Sequence, residues 1–408
     1  MDVLCIHPSF PGQFLRLAQA LSKMPGVSVT GAGDAGKMAE NTQLEGIPLI
    51  TYQTPQEPSD VVHRYARCFE AAVRRGQTIT QVLLEHKRRG FEPDTILVHT
   101  GWGDGFYLRD IFPGARIIGL FEYYYRARGG DVGFDPEFPA AFDDIFRVRA
   151  LNAVALLALE SCDVGYCPTN WQHSCFPELH RNRLQVIHDG IDTTQVAPDP
   201  SATLTLQDGT VLSAGDEVLT FVNRNLEPYR GYHIFMRALP RIMQARPDCH
   251  VVIVGGDGVS YGMKLPPGQS YRQRYLDEVA DRIDHSRLHF TGALPYQEYL
   301  KVLQVSRAHC YLSYPFVLSW SMMEAMSAGC LVIGSATPPV QEILKDGKNG
   351  LLFPFRAYHT LAELAIDALA RPERYQELRH AARRHIVTEY DFNTVSLPRF
   401  LQLICSPP

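Results

Sequence analysis

The chain has 408 residues, of which 45% are hydrophobic and 20% charged, with a formal net charge of −5. That length predicts two domains, the composition is that of a globular protein, and the acidic balance excludes a dedicated nucleic-acid binder, whose footprint is basic. Nine cysteines without a Cys-x-x-Cys pair exclude a disulfide framework and point to a reducing, cytoplasmic setting.

The N-terminus opens directly on a strand, VLCIH, so no signal peptide is expected, and no apolar run approaches the roughly 18 residues of a membrane span. Apolar, β-rich runs at 3–7, 27–30, 96–100, 116–121, 164–167 and 184–188 alternate with helix-length segments, the pattern of a parallel α/β sheet. After the first strand, HPSFPGQF places Gly12 ahead of an apolar helix bearing Phe14, Leu17, Ala18 and Leu21. Amides at such a helix start can face an anionic group. GAGDAGK at 31–37 comes near a P-loop pattern, but Met38 stands where a hydroxyl must hold Mg²⁺, and no apolar helix follows. Nucleotide binding is not expected there. Residues 63–89 read as helical and carry Arg64, Arg67, Arg74, Arg75, Lys87, Arg88 and Arg89 against Glu70 and Glu85. That basic face would suit an anionic membrane surface, or else a solvated helix.

The strand at 96–100 runs into VHTGWGDG and leaves His99 at its carboxyl end, where an imidazole can hydrogen-bond a sugar or shuttle a proton. The next strand ends in FEYYYR, which places Glu122 and Arg126 on the same rim, as site residues or as an ion pair. Cys162, Cys167, His173 and Cys175 cluster without any common zinc spacing. A domain boundary is expected at about 192–197. Beyond it, residues 197–216 break the alternation with a small hairpin around a QDG turn.

The second half repeats the architecture, with strands expected at 218–222, 250–255, 288–291, 310–312 and 331–334. Ile234, Phe235, Ala238, Leu239, Ile242 and Met243 form a helical stripe, and helices are expected at 361–369, 375–390 and 395–404. Two segments carry chemistry. In FVNRNLEPYRG (221–231) a strand opens into a loop with Arg224, Asn225 and Arg230 before a helix that starts at Gly231. Guanidinium groups at a strand end suit a diphosphate, with which they pair bidentately. In PFVLSWSMMEAMSAG (315–329) a single carboxylate, Glu324, sits in apolar company and suits a pair of ribose hydroxyls. VVIVGGDG ends in Gly255, Gly256 and Gly258, which let the backbone approach a ligand or simply turn the chain. Open parallel sheets bind ligands at the carboxyl ends of their strands.

With these residues in place, the chain resembles the retaining glycosyltransferases of family 4. The likeness rests on VIHDGIDT (186–193), FVNRNLEPYRG, VVIVGGDG, LHFTGAL (288–294) and the GLLF run after DGKNG. It implies an α/β GT-B fold, two Rossmann-like parallel-sheet domains facing across a cleft with C-terminal helices returning to the first. The expected divisions are 1–192, 193–390 and 391–408. Carried over residue by residue, the resemblance implies that Arg224 and Arg230 bind the donor diphosphate and Glu324 the ribose. Gly12 then lies near phosphate or acceptor, and His99 beside the transferred sugar. The family ordinarily has a further Glu eight positions before Glu324, where this chain has Phe316. Ser319 and Ser321, with the Val317 and Leu318 backbone, are the expected substitutes. The implied function is metal-independent transfer of a hexosyl unit from a UDP-, GDP- or ADP-sugar to a saccharide, lipid-linked or protein-borne hydroxyl, in the cytoplasm or peripherally at the inner membrane. No cofactor and no nucleic acid are expected. A non-catalytic sugar-nucleotide-binding protein and a sugar-nucleotide epimerase on the same fold are the alternatives.

Overall fold

The computed structural model describes residues 1–38, 44–54 and 61–406, and the chain divides into two compact units, Met1–Gly190 with Phe392–Pro408, and Ile191–Asp391. The first unit is built on seven strands: β1 (Asp2–Ile6), β2 (Ser28–Asp34), β3 (Leu49–Tyr52), β4 (Thr95–His99), β5 (Arg116–Leu120), β6 (Val164–Cys167) and β7 (Leu184–Val186). They pair in the order β3-β2-β1-β4-β5-β6-β7, all parallel. The central strands are buried on both faces, which is why they read as uninterrupted apolar runs.

Two features of this sheet differ from expectation. β2 continues to Asp34 and absorbs the first half of GAGDAGK. A Cβ at Gly31 would sit 2.5 Å from the Phe10 ring, and one at Gly33 would sit 2.9 Å from the His7 carbonyl oxygen. These glycines therefore serve close packing of the β1–helix loop against β2. β3, only four residues long, was not expected at all. The C-terminal helix Leu397–Cys405 belongs to this unit: Phe400, Leu403 and Ile404 pack with Val3, Leu17, Leu97 and Tyr166, the Phe400 and Tyr166 rings lying 5.0 Å apart.

The second unit holds a six-stranded parallel sheet of β10 (Val218–Asn225), β11 (His250–Gly256), β12 (Leu288–Gly292), β13 (Ala308–Tyr311), β14 (Leu331–Ser335) and β15 (Leu351–Phe353), in the order β12-β11-β10-β13-β14-β15. Ahead of it, β8 (Thr203–Thr205) and β9 (Val211–Ser213) make the expected antiparallel hairpin, with the Thr210 amide donating to Asp208 across the QDG turn at 2.9 Å. The helix Tyr232–Ala245 buries the predicted stripe in full, and Phe235 stacks on Phe221 of β10 at 4.5 Å. Each such side chain contributes about 1.5–3 kcal/mol by leaving water.

The basic segment near residue 67 is helical over Arg67–Arg88. Its charge is largely spent locally. Arg75 is buried, Arg64 pairs with Asp143, Arg74 with Glu70, Arg89 with Glu85, and Lys87 with Glu92 at 3.3 Å. No described helix is long and apolar enough to cross a membrane.

Candidate active site

In the second unit β10 and β11 pair with a register irregularity between Val222 and Asn225, so that Arg224 ends exposed and Asn225 half-buried at the strand's carboxyl end. The chain then makes a short turn, Pro228–Arg230, and enters the long helix through Gly231 at φ 68°. A Cβ at Gly231 would lie 2.3 Å from that of Leu312, so both conformation and space demand glycine.

This turn drives Arg230 inward, to 6% exposure. Its Nη1 donates to Ser313 Oγ (2.8 Å) and to the Val317 carbonyl oxygen (2.9 Å), while the guanidinium faces the rings of Tyr261 (5.1 Å) and Phe316 (6.0 Å). Burial opposes its charge, but Tyr311, Tyr261 and Glu227 outweigh that and raise its pKa above the ordinary arginine value. The oxygens that accept its hydrogen bonds are neutral, so the buried cation can still meet an anion directly.

Glu227, which sequence reasoning passed over inside the NLEPY loop, is fully buried and accepts three backbone amides: Ser260 (3.0 Å), Tyr261 (3.2 Å) and Gly262 (2.9 Å). It clamps the loop after β11 in place and thereby sets Tyr261 over Arg230. Asn225 adds a second tie, its Nδ2 donating to Ser260 Oγ at 2.7 Å. The glycines of VVIVGGDG serve that tie: a Cβ at Gly256 or Gly258 would meet the Asn225 amide oxygen at 2.9 or 3.0 Å. Asp257 pairs with Arg272 at 3.0 Å.

Glu324 lies in the helix Trp320–Ser327 and is 4% exposed. Its Oε1 accepts the Tyr296 hydroxyl (2.8 Å) and its Oε2 the Tyr299 hydroxyl (2.7 Å). Burial and the Glu324 charge push the Tyr299 phenol well above its usual pKa, so it remains a donor. Neither tyrosine was singled out from the sequence, since each lies more than twenty positions from Glu324. Ser319 caps this helix, accepting the Ser321 amide, and the two serine hydroxyls lie 3.0 Å apart. Phe316 is 5% exposed and packs on Tyr229 (5.5 Å) and Tyr261 (4.9 Å). Its ring thus completes an aromatic cluster beside Arg230.

In the first unit, Gly12 and His99 come together around His7, the residue after β1. Gly12 has φ 47°, and a Cβ there would lie 2.4 Å from the His7 ring. The His7 and His99 rings meet edge to face at 5.3 Å, and Trp102 stacks on His99 at 4.1 Å. Next to them, Glu122 Oε1 accepts from Gln13 Nε2 at 3.1 Å, and Glu122 Oε2 lies 3.5 Å from His99 Nε2. Of the two alternatives for Glu122 and Arg126, the ion pair is not formed: Arg126 donates to the Ser174 carbonyl and to that of Cys175 (3.3 Å). A second buried group, Tyr52 bonded to Asp104, lies at the end of β3. Burial raises the Asp104 pKa more than Tyr52 and Arg75 lower it. Among the described residues no cluster of three or more His, Cys, Asp or Glu is placed to hold a metal ion.

Residues 34–196 match the sequence model of the glycosyl transferase family 4 group, and residues 206–385 that of the glycosyl transferases group 1. The chain is 25% identical over 277 residues to spore coat protein SA of Bacillus subtilis, covering 63% of this chain and 67% of that one. It is 26% identical over 186 residues to a phosphatidyl-myo-inositol mannosyltransferase of Mycobacterium leprae, covering 44% of each, and 25% identical over 232 residues to alpha-maltose-1-phosphate synthase of Mycolicibacterium smegmatis, covering 53% and 55%. It therefore spans roughly half to two thirds of the length of these relatives. The fold is shared with HepE of Anabaena, solved with UDP and glucose (TM-score 0.70, 17% identity, 100% of both chains), and with sucrose-phosphate synthase of Thermosynechococcus elongatus (TM-score 0.74, 20% identity, 100% of both). Two parallel-sheet units of the GT-B kind, matched in order by these two sequence models, place the chain in a known group: it belongs to the family 4-like glycosyltransferases.

Proposed function

We propose that this glycosyltransferase moves a hexosyl unit from a nucleoside diphosphate sugar to a hydroxyl acceptor with retention of anomeric configuration, in the synthesis of a glycan or glycoconjugate. The observation that carries this reading is Arg230, a buried cation whose hydrogen bonds go to neutral oxygens at the carboxyl end of a parallel sheet. A diphosphate supplies an anion in direct hydrogen-bond contact, and the charge that develops on it as the glycosidic bond breaks is what a preorganised guanidinium stabilises. Arg224, exposed at the end of β10, would hold the outer face of the same diphosphate. Glu324, a buried carboxylate beside two tyrosine hydroxyls, would take the ribose hydroxyls. Cationic side chains would then neutralise the leaving group, with no metal required of the protein. The relatives support the class of donor: one is named a mannosyltransferase, and HepE was solved with UDP and glucose. The acceptor is a saccharide, a lipid-linked saccharide or a protein-borne hydroxyl.

Phe316 favours one second reading, in which the chain binds a sugar nucleotide without transferring from it, because the position offers no polar atom to a sugar. Calorimetric titration with UDP, GDP and ADP and their hexose derivatives, followed by nucleotide release in the presence of sugar acceptors, tests both. Binding with acceptor-dependent release is expected. Binding without release selects the second reading, and absence of any nucleotide binding refutes both.

A further inference from the structure

Glu122 stands just past β5, held from both sides. Gln172 Nε2 donates to its backbone oxygen at 2.6 Å, and Gln13 Nε2 to its Oε1 at 3.1 Å. On the other oxygen, His99 Nε2 approaches to 3.5 Å, short of a formed hydrogen bond. The backbone decides which nitrogen of His99 carries the proton. The Gly101 amide donates to Nδ1 at 3.1 Å, so in the neutral ring the proton is on Nε2, the nitrogen nearest the carboxylate. His7 repeats the arrangement, its Nδ1 accepting the Ser9 amide at 3.0 Å. Burial and the neighbouring His99 lower the His7 pKa to about 3, so that ring is neutral.

Neither imidazole therefore has a lone pair free to serve as a base, and both buried Nε2 atoms lack a hydrogen-bond partner among the described residues. Exposure separates the roles: the His99 side chain is 2% exposed and that of Glu122 is 30%. The group that meets solvent is the carboxylate. Burial works to raise its pKa, but the nearby His99 ring and the Gln13 amide prevail and hold it below the usual carboxylate range. A phosphate here would face a carboxylate with no arginine beside it, since Arg126 is turned to the Ser174 and Cys175 carbonyls. A hydroxyl fits: it donates to the carboxylate and its oxygen can accept from an imidazole N–H.

We propose that Glu122 binds a hydroxyl of a neutral sugar or polyol, with His99 and Gln13 as positioning residues that orient its carboxylate. The proposal rests on the transferase reading for the origin of that sugar, which is either the acceptor or the hexosyl unit of the donor. Two calorimetric arms separate these sources in the wild type, Glu122→Gln, His99→Gln and His99→Phe. One titrates glucose, mannose and galactose, with glucose 6-phosphate as the anionic counterpart. The other compares each UDP-, GDP- and ADP-hexose with its free nucleotide.

In at least one arm the Glu122→Gln protein should bind the sugar about tenfold more weakly, since a hydrogen bond to a charged group is lost. His99→Gln keeps an N–H near the Nε2 position and should retain most of the binding, whereas His99→Phe should lose it. Free-nucleotide affinity should be unchanged in all three variants. The proposal is overturned if Glu122→Gln binds as the wild type does in both arms, if no neutral sugar registers in either, or if glucose 6-phosphate binds as tightly as glucose. Equal losses in His99→Gln and His99→Phe would remove the positioning role. Failure of every nucleotide to bind refutes the donor reading instead, and leaves the free-sugar arm to decide this one.

Discussion

Replacing Glu227 by Gln probes how the loop after β11 is held over Arg230. In the wild type one carboxylate oxygen accepts the Ser260 amide, and the other accepts those of Tyr261 and Gly262. A glutamine of the same volume keeps one acceptor oxygen. Oriented best, it retains the Tyr261 and Gly262 bonds without their charge assistance and turns its own NH₂ toward the Ser260 N–H. One hydrogen bond to a charged acceptor is then lost, about 1.5–3 kcal/mol, and a buried donor is left unpaired. Because the loop can detach from the sheet, that cost should appear as local opening rather than global unfolding. Amide hydrogen exchange is the assay. Exchange at Ser260, Tyr261 and Gly262 should accelerate by about 10- to 100-fold, with strands β10, β11 and β13 unchanged. Tyr261 would leave the Arg230 guanidinium, so the same variant should also change the nucleotide association rate. Unaltered protection at all three amides would refute the clamp.

Burial ranks the two arginines. Arg230→Ala should cost about 2–5 kcal/mol of nucleoside diphosphate affinity, and Arg224→Ala, at an exposed site, about 0–1 kcal/mol; equal losses by calorimetry would contradict the ranking. A 2′-deoxynucleotide should bind the wild type less well than the ribonucleotide, and the difference should shrink by about 1–2 kcal/mol in Glu324→Gln. Identical discrimination in both proteins would remove Glu324 from the ribose. Burial lowers the pKa values of His7, His188 and His309 from 6.5 to about 3. The unfolded chain therefore binds more protons between those values, and stability is lost as pH falls below 6.5. Melting temperature should already decline between pH 6.5 and about pH 5, where ordinary carboxylates are still ionised, and the slope should lessen in His309→Gln. A flat profile over that interval would show that these rings accept protons in the fold.

Local structure is legible in the chain alone. Strands such as Thr95–His99 and Val218–Asn225 are legible because a parallel strand covered on both faces must be apolar along its whole length. The helix Tyr232–Ala245 is legible because its buried stripe repeats with the helical period. Arg224, Arg230 and Glu324 could be placed at strand ends and on a helix for the same reason. The three- and four-residue edge strands Leu351–Phe353 and Leu49–Tyr52 are too short to carry a period, and escaped. Tertiary structure decided what each of these residues touches. Whether Gly256 faces a ligand or an asparagine amide depends on Asn225, thirty-one positions earlier. The tyrosines on Glu324 come from 25 and 28 positions away, and the glutamine on Glu122 from 109. Hydrogen bonds and ring contacts at such separations leave no periodic trace, because only chain folding brings their partners within reach. For the same reason His99 could be placed at its strand end from the sequence, but its burial behind Glu122 could not.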